Sequence, residues 1–334
     1  MIQVRKQSKN AGIVIGLFVS IVLVFSLSCT PFEKNDFLIQ IPQEEKELLF
    51  DLSTSGLPSS DSLSLRLNFC PNGNNPTYLD LMLVDECSDC PPYLIEINTL
   101  TKQWTSSKLF DILPEKEAKA LGGYVVFKEP VKIDLNRNIL ASYFYTLYYI
   151  DRQNKTYHSV ELPFYPHSID SYLISENKAY VAVQNSVYSI DYPSLALESL
   201  QKVFSYNDVD TLVYADAEAI YMDAWDKNPE ASASSGLLRV DLDTLEAEYL
   251  LIRPEEENES FYYQHSEKYW LMYQFSGRNE EDGSYQVRTH VIEQADLSYA
   301  FNFEVYGQLK QVNSHPMIYW IEDQRLYSWK IPLK

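Results

Sequence analysis

Glycine, histidine and cysteine are scarce in this sequence, and each shortage removes a class of function. There are only 10 Gly, and none falls into a phosphate-cradling P-loop, a G-x-G-x-x-G turn or a G-x-S-x-G elbow. The 5 His never form the H-E-x-x-H spacing of a zinc hydrolase. Basic residues are also few: 27 Lys and Arg stand against 47 Asp and Glu, for a net charge of −20. A field of that sign repels phosphate backbones, so a DNA or RNA partner is not expected. Long helical periodicity is missing too. After residue 28 only Glu115–Leu121 reads as a turn or two of helix.

Tyrosine is the abundant residue, at 26. Tyr and Phe favour a pleated, half-buried surface, which points to strands.

The amino end decides the compartment. Arg5, Lys6 and Lys9 precede an uncharged run from Ala11 to Ser28, and Cys29 follows directly. A basic segment, an apolar run and a small residue before a cysteine form the layout of an export signal. The segment resembles the bacterial lipobox, although Ser26 stands where that pattern has leucine. The resemblance implies cleavage before Cys29, lipidation of Cys29, and a lipid-anchored body in the cell envelope. Thr30 argues against retention at the inner membrane, so the outer membrane or surface is expected. An uncleaved membrane anchor is the alternative, because the run is long enough to span. Residues 1–28 are read as signal peptide, 29–36 as lipidated cysteine and tether, and 37–334 as one domain.

That domain reads as a repeat. An apolar strand closed by a polar residue recurs at Leu94–Asn98, Leu147–Asp151, Val187–Asp191, Leu237–Asp241 and Leu326–Lys330, with a less regular copy at Val287–Glu293. Closing positions 98, 151, 191 and 241 are roughly 40 to 50 residues apart, the period of propeller blades. Other apolar runs flank each copy, two before it and one after, making four short strands per unit. The expected fold class is therefore all-β, a β-propeller of six blades. Seven is the alternative if Gly123–Lys128 belongs to a degenerate blade. The last unit stops after its third strand, so an amino-terminal strand, Phe37–Ile41 or Leu48–Leu52, is expected to close it and remove an open edge. These V-x-x-I-D-type endings resemble quinoprotein-like and YVTN-like propellers of exported bacterial proteins. The resemblance is one of architecture and carries over no functional residue.

In such a blade, the second-to-third connections and the links between blades open on one face. The long connections fall there, carrying Asp85, Asp89, Asp223, Trp225, Asp226, Glu255, Glu256, Glu280, Glu281 and Asp282. Long loops on a rigid scaffold are where binding resides. These carboxylates form either a solvated rim or a face for a cationic partner. They suit Ca²⁺, but no EF-hand loop occurs; no other metal or cofactor is expected.

Cys87-Ser-Asp-Cys90 lacks the following helix that a redox C-x-x-C uses, since Pro91 and Pro92 intervene. A local Cys87–Cys90 bridge pinning the loop is the expected outcome, with Cys70 at the far end of a hairpin, beyond disulfide reach. The leading functional reading is an exported binding or scaffold module for a protein, peptide or glycan. A propeller hydrolase or lyase with its site at the channel mouth is the rival.

Overall fold

The computed structural model describes residues 38–58, 63–68, 77–85, 92–127, 131–206, 209–224, 236–252, 259–266, 268–278, 285–313 and 315–332. Among these residues the strands form six four-stranded antiparallel sheets. After β1 (Glu47–Asp51), blade 1 runs outward through β2 (Leu63–Leu67), β3 (Tyr78–Asp85), β4 (Tyr93–Asn98) and β5 (Trp104–Lys108). The helix α1 (Glu115–Phe127) leads to blade 2: β6 (Lys132–Ile133), β7 (Ile139–Tyr143), β8 (Thr146–Asp151) and β9 (Thr156–Glu161). Blade 3 holds β10 (Ser171–Ser175), β11 (Lys178–Val183), β12 (Ser186–Asp191) and β13 (Gln201–Ser205). Blade 4 holds β14 (Val209–Ala215), β15 (Ala219–Ala224), β16 (Gly236–Asp241) and β17 (Ala247–Ile252). Blade 5 holds β18 (Glu259–Ser266), β19 (Tyr269–Arg278), β20 (Tyr285–Glu293) and β21 (Tyr299–Phe303). Blade 6 holds β22 (Gly307–Val312), β23 (His315–Glu322) and β24 (Arg325–Lys330), with β1 as its outer strand.

The ring is held by layers of apolar side chains between neighbouring blades. Strand alternation explains this: in β7, Ile139 and Ala141 join the layer towards blade 1, whereas Leu140 joins the layer towards blade 3. Both faces are covered, so the strand reads as a continuous apolar run. Phe50, Leu52, Tyr319 and Leu326 share a layer with Leu65, Leu79, Leu81 and Leu83, which joins blade 6 to blade 1 and closes the circle.

The closing strand is Glu47–Asp51, paired antiparallel with β24 from Glu47↔Ser328 to Asp51↔Arg325. Arg325 Nε donates to Asp51 Oδ2 at 2.9 Å, and Trp329 Nε1 donates to Glu45 Oε2 at 2.8 Å. Gln324 then stitches the closed blade to blade 1. Its Oε1 accepts from Leu65 N at 3.0 Å, and its Nε2 donates to the Leu63 carbonyl at 2.9 Å. Among the described residues of the alternative closing segment there is a single parallel bridge, Leu38↔Asn302. Ile39 and Ile41 pack on the layer between blades 5 and 6. Gly307 opens β22 because a Cβ there would sit 2.8 Å from the Tyr319 carbonyl oxygen.

The expectation of at most two helical turns at Glu115–Leu121 falls short, since α1 runs to Phe127. Gly122 and Gly123 each cost a helix interior about 1 kcal/mol against alanine, which is why the sequence reads as broken there. Docking outweighs that cost: Ala118 and Leu121 are buried with Leu109, Phe110 and Leu113 between blades 1 and 2. Gly123–Phe127 therefore belongs to this helix and not to a seventh blade.

The polar residue closing the third strand of blades 1, 2 and 4 has a structural task. Asn98 Oδ1 accepts from Leu100 N and Thr101 N, and Asp241 Oδ1 from Asp243 N and Thr244 N. Each turn then passes through a left-handed residue: Lys102, Lys155, Leu195, Leu245 and Leu297, with φ between 48° and 60°. These residues follow Asn98, Asp151, Asp191, Asp241 and Glu293 at one fixed offset. The repeated strand ending is thus a turn signature.

Candidate functional site

Antiparallel order puts the second-to-third connections and the inter-blade links on one side of the ring, called here the loop face. The other connections lie on the turn face. Most of the sequence-derived face residues lie outside the described residues: Asp89, Trp225, Asp226, Glu255, Glu256, Glu280, Glu281 and Asp282, together with Cys29, Cys87 and Cys90. Asp85 ends β3, where its backbone pairs with Leu63. Asp223 departs from expectation. It lies within β15, opposite Thr211 and Leu237, and is buried. The apolar run Ile220–Ala224 continues the strand past it, so it is not a loop residue.

The hollow that the described residues do form on the loop face was missed by a reading that followed charge. It lies in blade 3, bounded by the link Pro163–Asp170 and by Val183–Tyr188, and encloses about 760 Å³. The link is tied down at both ends. Leu162 N donates to the Tyr145 carbonyl at 2.9 Å, Ile169 N to that of Phe144 at 2.7 Å, and Asp170 N to that of Ala182 at 2.9 Å. Its polar lining is ordered as well. Asp170 Oδ2 accepts from Gln184 N at 2.6 Å, and the Gln184 side-chain amide lies 2.9 Å from His167 Nδ1. Phe164 packs on Tyr188 with ring centres 4.6 Å apart. Tyr165 meets Tyr145 edge-on at 5.8 Å yet is 77% exposed. An aromatic side chain held outward beside an ordered amide and carboxylate gives a ligand both a stacking surface and directional hydrogen bonds. Pro163-Phe-Tyr-Pro166 was the available signal: aromatics between prolines, in a link with no strand pattern.

A second aromatic group on the same face joins Tyr262, Phe275 and Tyr306, with Phe275 5.6 Å from Tyr262 and 5.7 Å from Tyr306. Tyr262 and Tyr306 are exposed.

Along the inner strands, the polar groups bind neighbouring blades. Ser171 Oγ accepts from Leu212 N at 3.1 Å, and Ser175 Oγ donates to the Ala215 carbonyl at 2.8 Å. Ser266 Oγ donates to the Leu309 carbonyl. Lys310 Nζ donates to the Tyr78 carbonyl at 2.5 Å. These bonds sew the ring together.

The most strongly shifted acid belongs to a structural ion network. On the turn face, Asp80 and Glu96 of blade 1 meet Arg137 and Arg152 of blade 2. Arg137 bridges both acids, with Nη1 3.0 Å from Asp80 Oδ2 and Nε 2.9 Å from Glu96 Oε1. Arg152 reaches Glu96 with Nη1 at 2.8 Å and Nη2 at 2.6 Å. Burial alone would raise the Glu96 pKa; the Arg152 hydrogen bond and the two guanidinium charges outweigh it and bring it to about 2. Arg137 is also covered by the Tyr78 ring at 5.0 Å.

The histidines do not assemble. His265 stacks on Tyr214 at 3.8 Å, and His315 Nδ1 lies 2.9 Å from the Asn313 carbonyl. His290 is buried with Nε2 2.8 Å from Gln274 Oε1. Burial, with Arg288 nearby, lowers its pKa to about 4, so it is neutral in the core at pH 7. Among the described residues no three His, Cys, Asp or Glu side chains are grouped to hold a metal.

No family model matches this sequence, and no curated protein does. Many solved structures share the architecture. PorZ, a surface component of the type-IX secretion system of Porphyromonas gingivalis, is 10% identical with a TM-score of 0.45, over 85% of this chain and 34% of that one. The β-propeller domain of Cps50 (Swd1) from Myceliophteria thermophila is 10% identical with a TM-score of 0.44, over 80% of this chain and 100% of that one. The extracellular domain of a hybrid two-component system protein from B. thetaiotaomicron is 11% identical with a TM-score of 0.33, over 72% of this chain and 37% of that one. The chain thus spans about a third of the length of the two bacterial proteins. At these identities the likeness is one of fold alone. The protein is a six-bladed β-propeller.

Proposed function

We propose that this protein is an exported, membrane-anchored binding module whose loop face receives a protein segment, a peptide or a glycan. The observation that carries this reading is Tyr165, held outward beside the ordered Gln184 and Asp170 in the loop-face hollow. Export and lipidation at Cys29 rest on the basic, apolar and cysteine order of residues 1–29. No helix among the described residues is long and apolar enough to cross a membrane, and on this reading the attachment is the lipid on Cys29. The acidic runs that the sequence assigns to long connections, with Asp89, Asp226, Glu255, Glu256, Glu280, Glu281 and Asp282, would favour a ligand with positive charge.

The test compares the full chain with Tyr165→Ala and Gln184→Ala on glycan and peptide arrays. Both side chains are exposed, so the fold should survive. At least a tenfold loss of signal on one ligand class is expected, about 1.4 kcal/mol. Unchanged binding by both variants overturns the site. Intact mass of the membrane-extracted protein tests the anchor: a lipid adduct on an amino-terminal Cys29 is expected, and it disappears in Cys29→Ser.

A further inference from the structure

The turn face carries a separate cavity between blades 2 and 3, of about 310 Å³. Its walls are apolar and aromatic: Ile133, Ile174, Tyr149 and Tyr192, the two rings meeting edge-on at 5.5 Å. We propose that it binds an organic cation, a primary ammonium on a short apolar stem.

Three observations converge on that chemistry. First, Asn138 lines the cavity, is only 7% exposed, and its Oδ1 has no hydrogen-bond partner. A buried acceptor left unbonded among the described residues is destabilising, so a donor is wanted there. The amide cannot escape by flipping. Its Nδ2 donates to Asp134 Oδ2 at 3.3 Å, and the flipped amide would set oxygen against that carboxylate.

Second, the charge in the cavity wall is uncompensated. Asp134 accepts from Asn138 N at 2.8 Å and from the Tyr192 hydroxyl at 2.8 Å, both neutral donors. Glu176 stands at the same cavity, exposed. No basic side chain is among the described residues lining it. The cations on adjoining elements are engaged elsewhere: Arg137 with Asp80 and Glu96, Lys178 with Asp191 at 2.6 Å, and Lys132 over the Tyr172 ring at 5.5 Å. His158 lies 3.0 Å from the Pro193 carbonyl.

Third, along the blade repeat this junction lacks the guanidinium groups that fill the preceding one. The pair Asp80↔Glu96 in blade 1 and the pair Leu140↔Tyr149 in blade 2 hold the same register slot. Arg152, following Asp151, and Tyr192, following Asp191, are likewise equivalent. At the first junction two guanidinium groups fill the space between acids. At the second, Leu140 and Tyr149 stand in the acid slots and Tyr192 in that of Arg152, while Asp134 and Glu176 reach the cavity from the first-to-second turns of blades 2 and 3, with no guanidinium among the described lining residues. Two tyrosine rings suit the replacement, since ring faces attract ammonium groups.

The test is calorimetric titration of the full chain in a non-ionic maltoside detergent at pH 7. Pentylamine is expected to bind, and pentanol at least about tenfold more weakly, because it lacks the charge. Glu176→Gln, an exposed change that leaves the fold intact, is expected to weaken pentylamine by about three- to fivefold. The tripeptide Gly-Lys-Gly separates the two sources of this chemistry. Tenfold tighter binding than pentylamine assigns the site to a lysine of a protein partner; equal or weaker binding assigns it to a free amine. Failure of both probes overturns the proposal, as does equal binding of pentanol or an unchanged affinity in Glu176→Gln.

Discussion

At the turn-face end of blade 1, the pair Asp80 and Glu96 meets Arg137 and Arg152 of the next blade. One blade further on, the corresponding pair is Leu140 and Tyr149, and it meets Tyr192. The strand order and register are the same at the two junctions. Only the side chains differ, and they give one junction a filled, charge-balanced seam and the other an apolar-walled cavity. The lesson is that a propeller repeat fixes where blades meet and leaves each junction free to be structural or receptive.

The largest effect should come from breaking the charged junction on one side. Glu96→Ala leaves the partly buried Arg152, and part of Arg137, without a counter-charge, at a cost of about 3 kcal/mol, the lower end of the range for a buried pair. Replacing all four charges with the residues of the other junction (Asp80→Leu, Glu96→Tyr, Arg152→Tyr and, from the register position of Asn177, Arg137→Asn) should cost much less, because no charge is left unpaired. Urea denaturation of both variants measures this, and a quadruple variant as unstable as Glu96→Ala would refute the balanced-seam account. Leu140→Ala, at the apolar junction, removes a fully buried side chain and should cost about 2–4 kcal/mol by the same measurement.

Acid sharpens the comparison further. The Glu96 pKa is about 2 in the fold against an ordinary 4.5, so between those values the unfolded chain binds more protons. Its contribution is present above about pH 4.5 and is lost as pH falls towards 2, on the order of 2–3 kcal/mol. His290 acts in an earlier window. With a folded value of about 4 against 6.5, it stays neutral while the unfolded chain protonates, so stability falls as pH drops from about 6.5 to 4. Thermal melts across both windows should show two steps: Glu96→Gln removes only the lower and His290→Gln only the upper. The smallest effect belongs to Leu135→Ala at the cavity rim. That side chain is 63% exposed, and its loss should change stability by less than about 0.5 kcal/mol.

Much of the fold was legible because its cause is local. Second strands such as Ala179–Val183 are apolar on both faces, third strands end in a turn-forming Asp or Asn, and the two features alternate at blade spacing. Closure by an amino-terminal strand was legible by deduction, from the last unit's missing strand, but the choice between Phe37–Ile41 and Leu48–Leu52 was not. The helix was not, because Gly122 and Gly123 mask a segment that docking stabilises. The candidate sites were the least legible. Charge runs drew attention to acidic connections, whereas Tyr165, Gln184 and Asp170 become neighbours only when a link folds back over a two-residue turn. Asn138 looks like an ordinary turn asparagine until the cavity behind it is seen.

The strand that shuts the ring is also the one nearest the leader. Tension applied at the amino end, as from an anchored tether in a moving envelope, would first load the Leu38↔Asn302 bridge on blade 5 and then the β1–β24 seam. Arg325, Trp329 and Gln324 are the bolts that bear that load. Should they yield, the bare edge of β24 would be uncovered, and the module would fail by opening at its hinge of closure while the other five blades kept their layers.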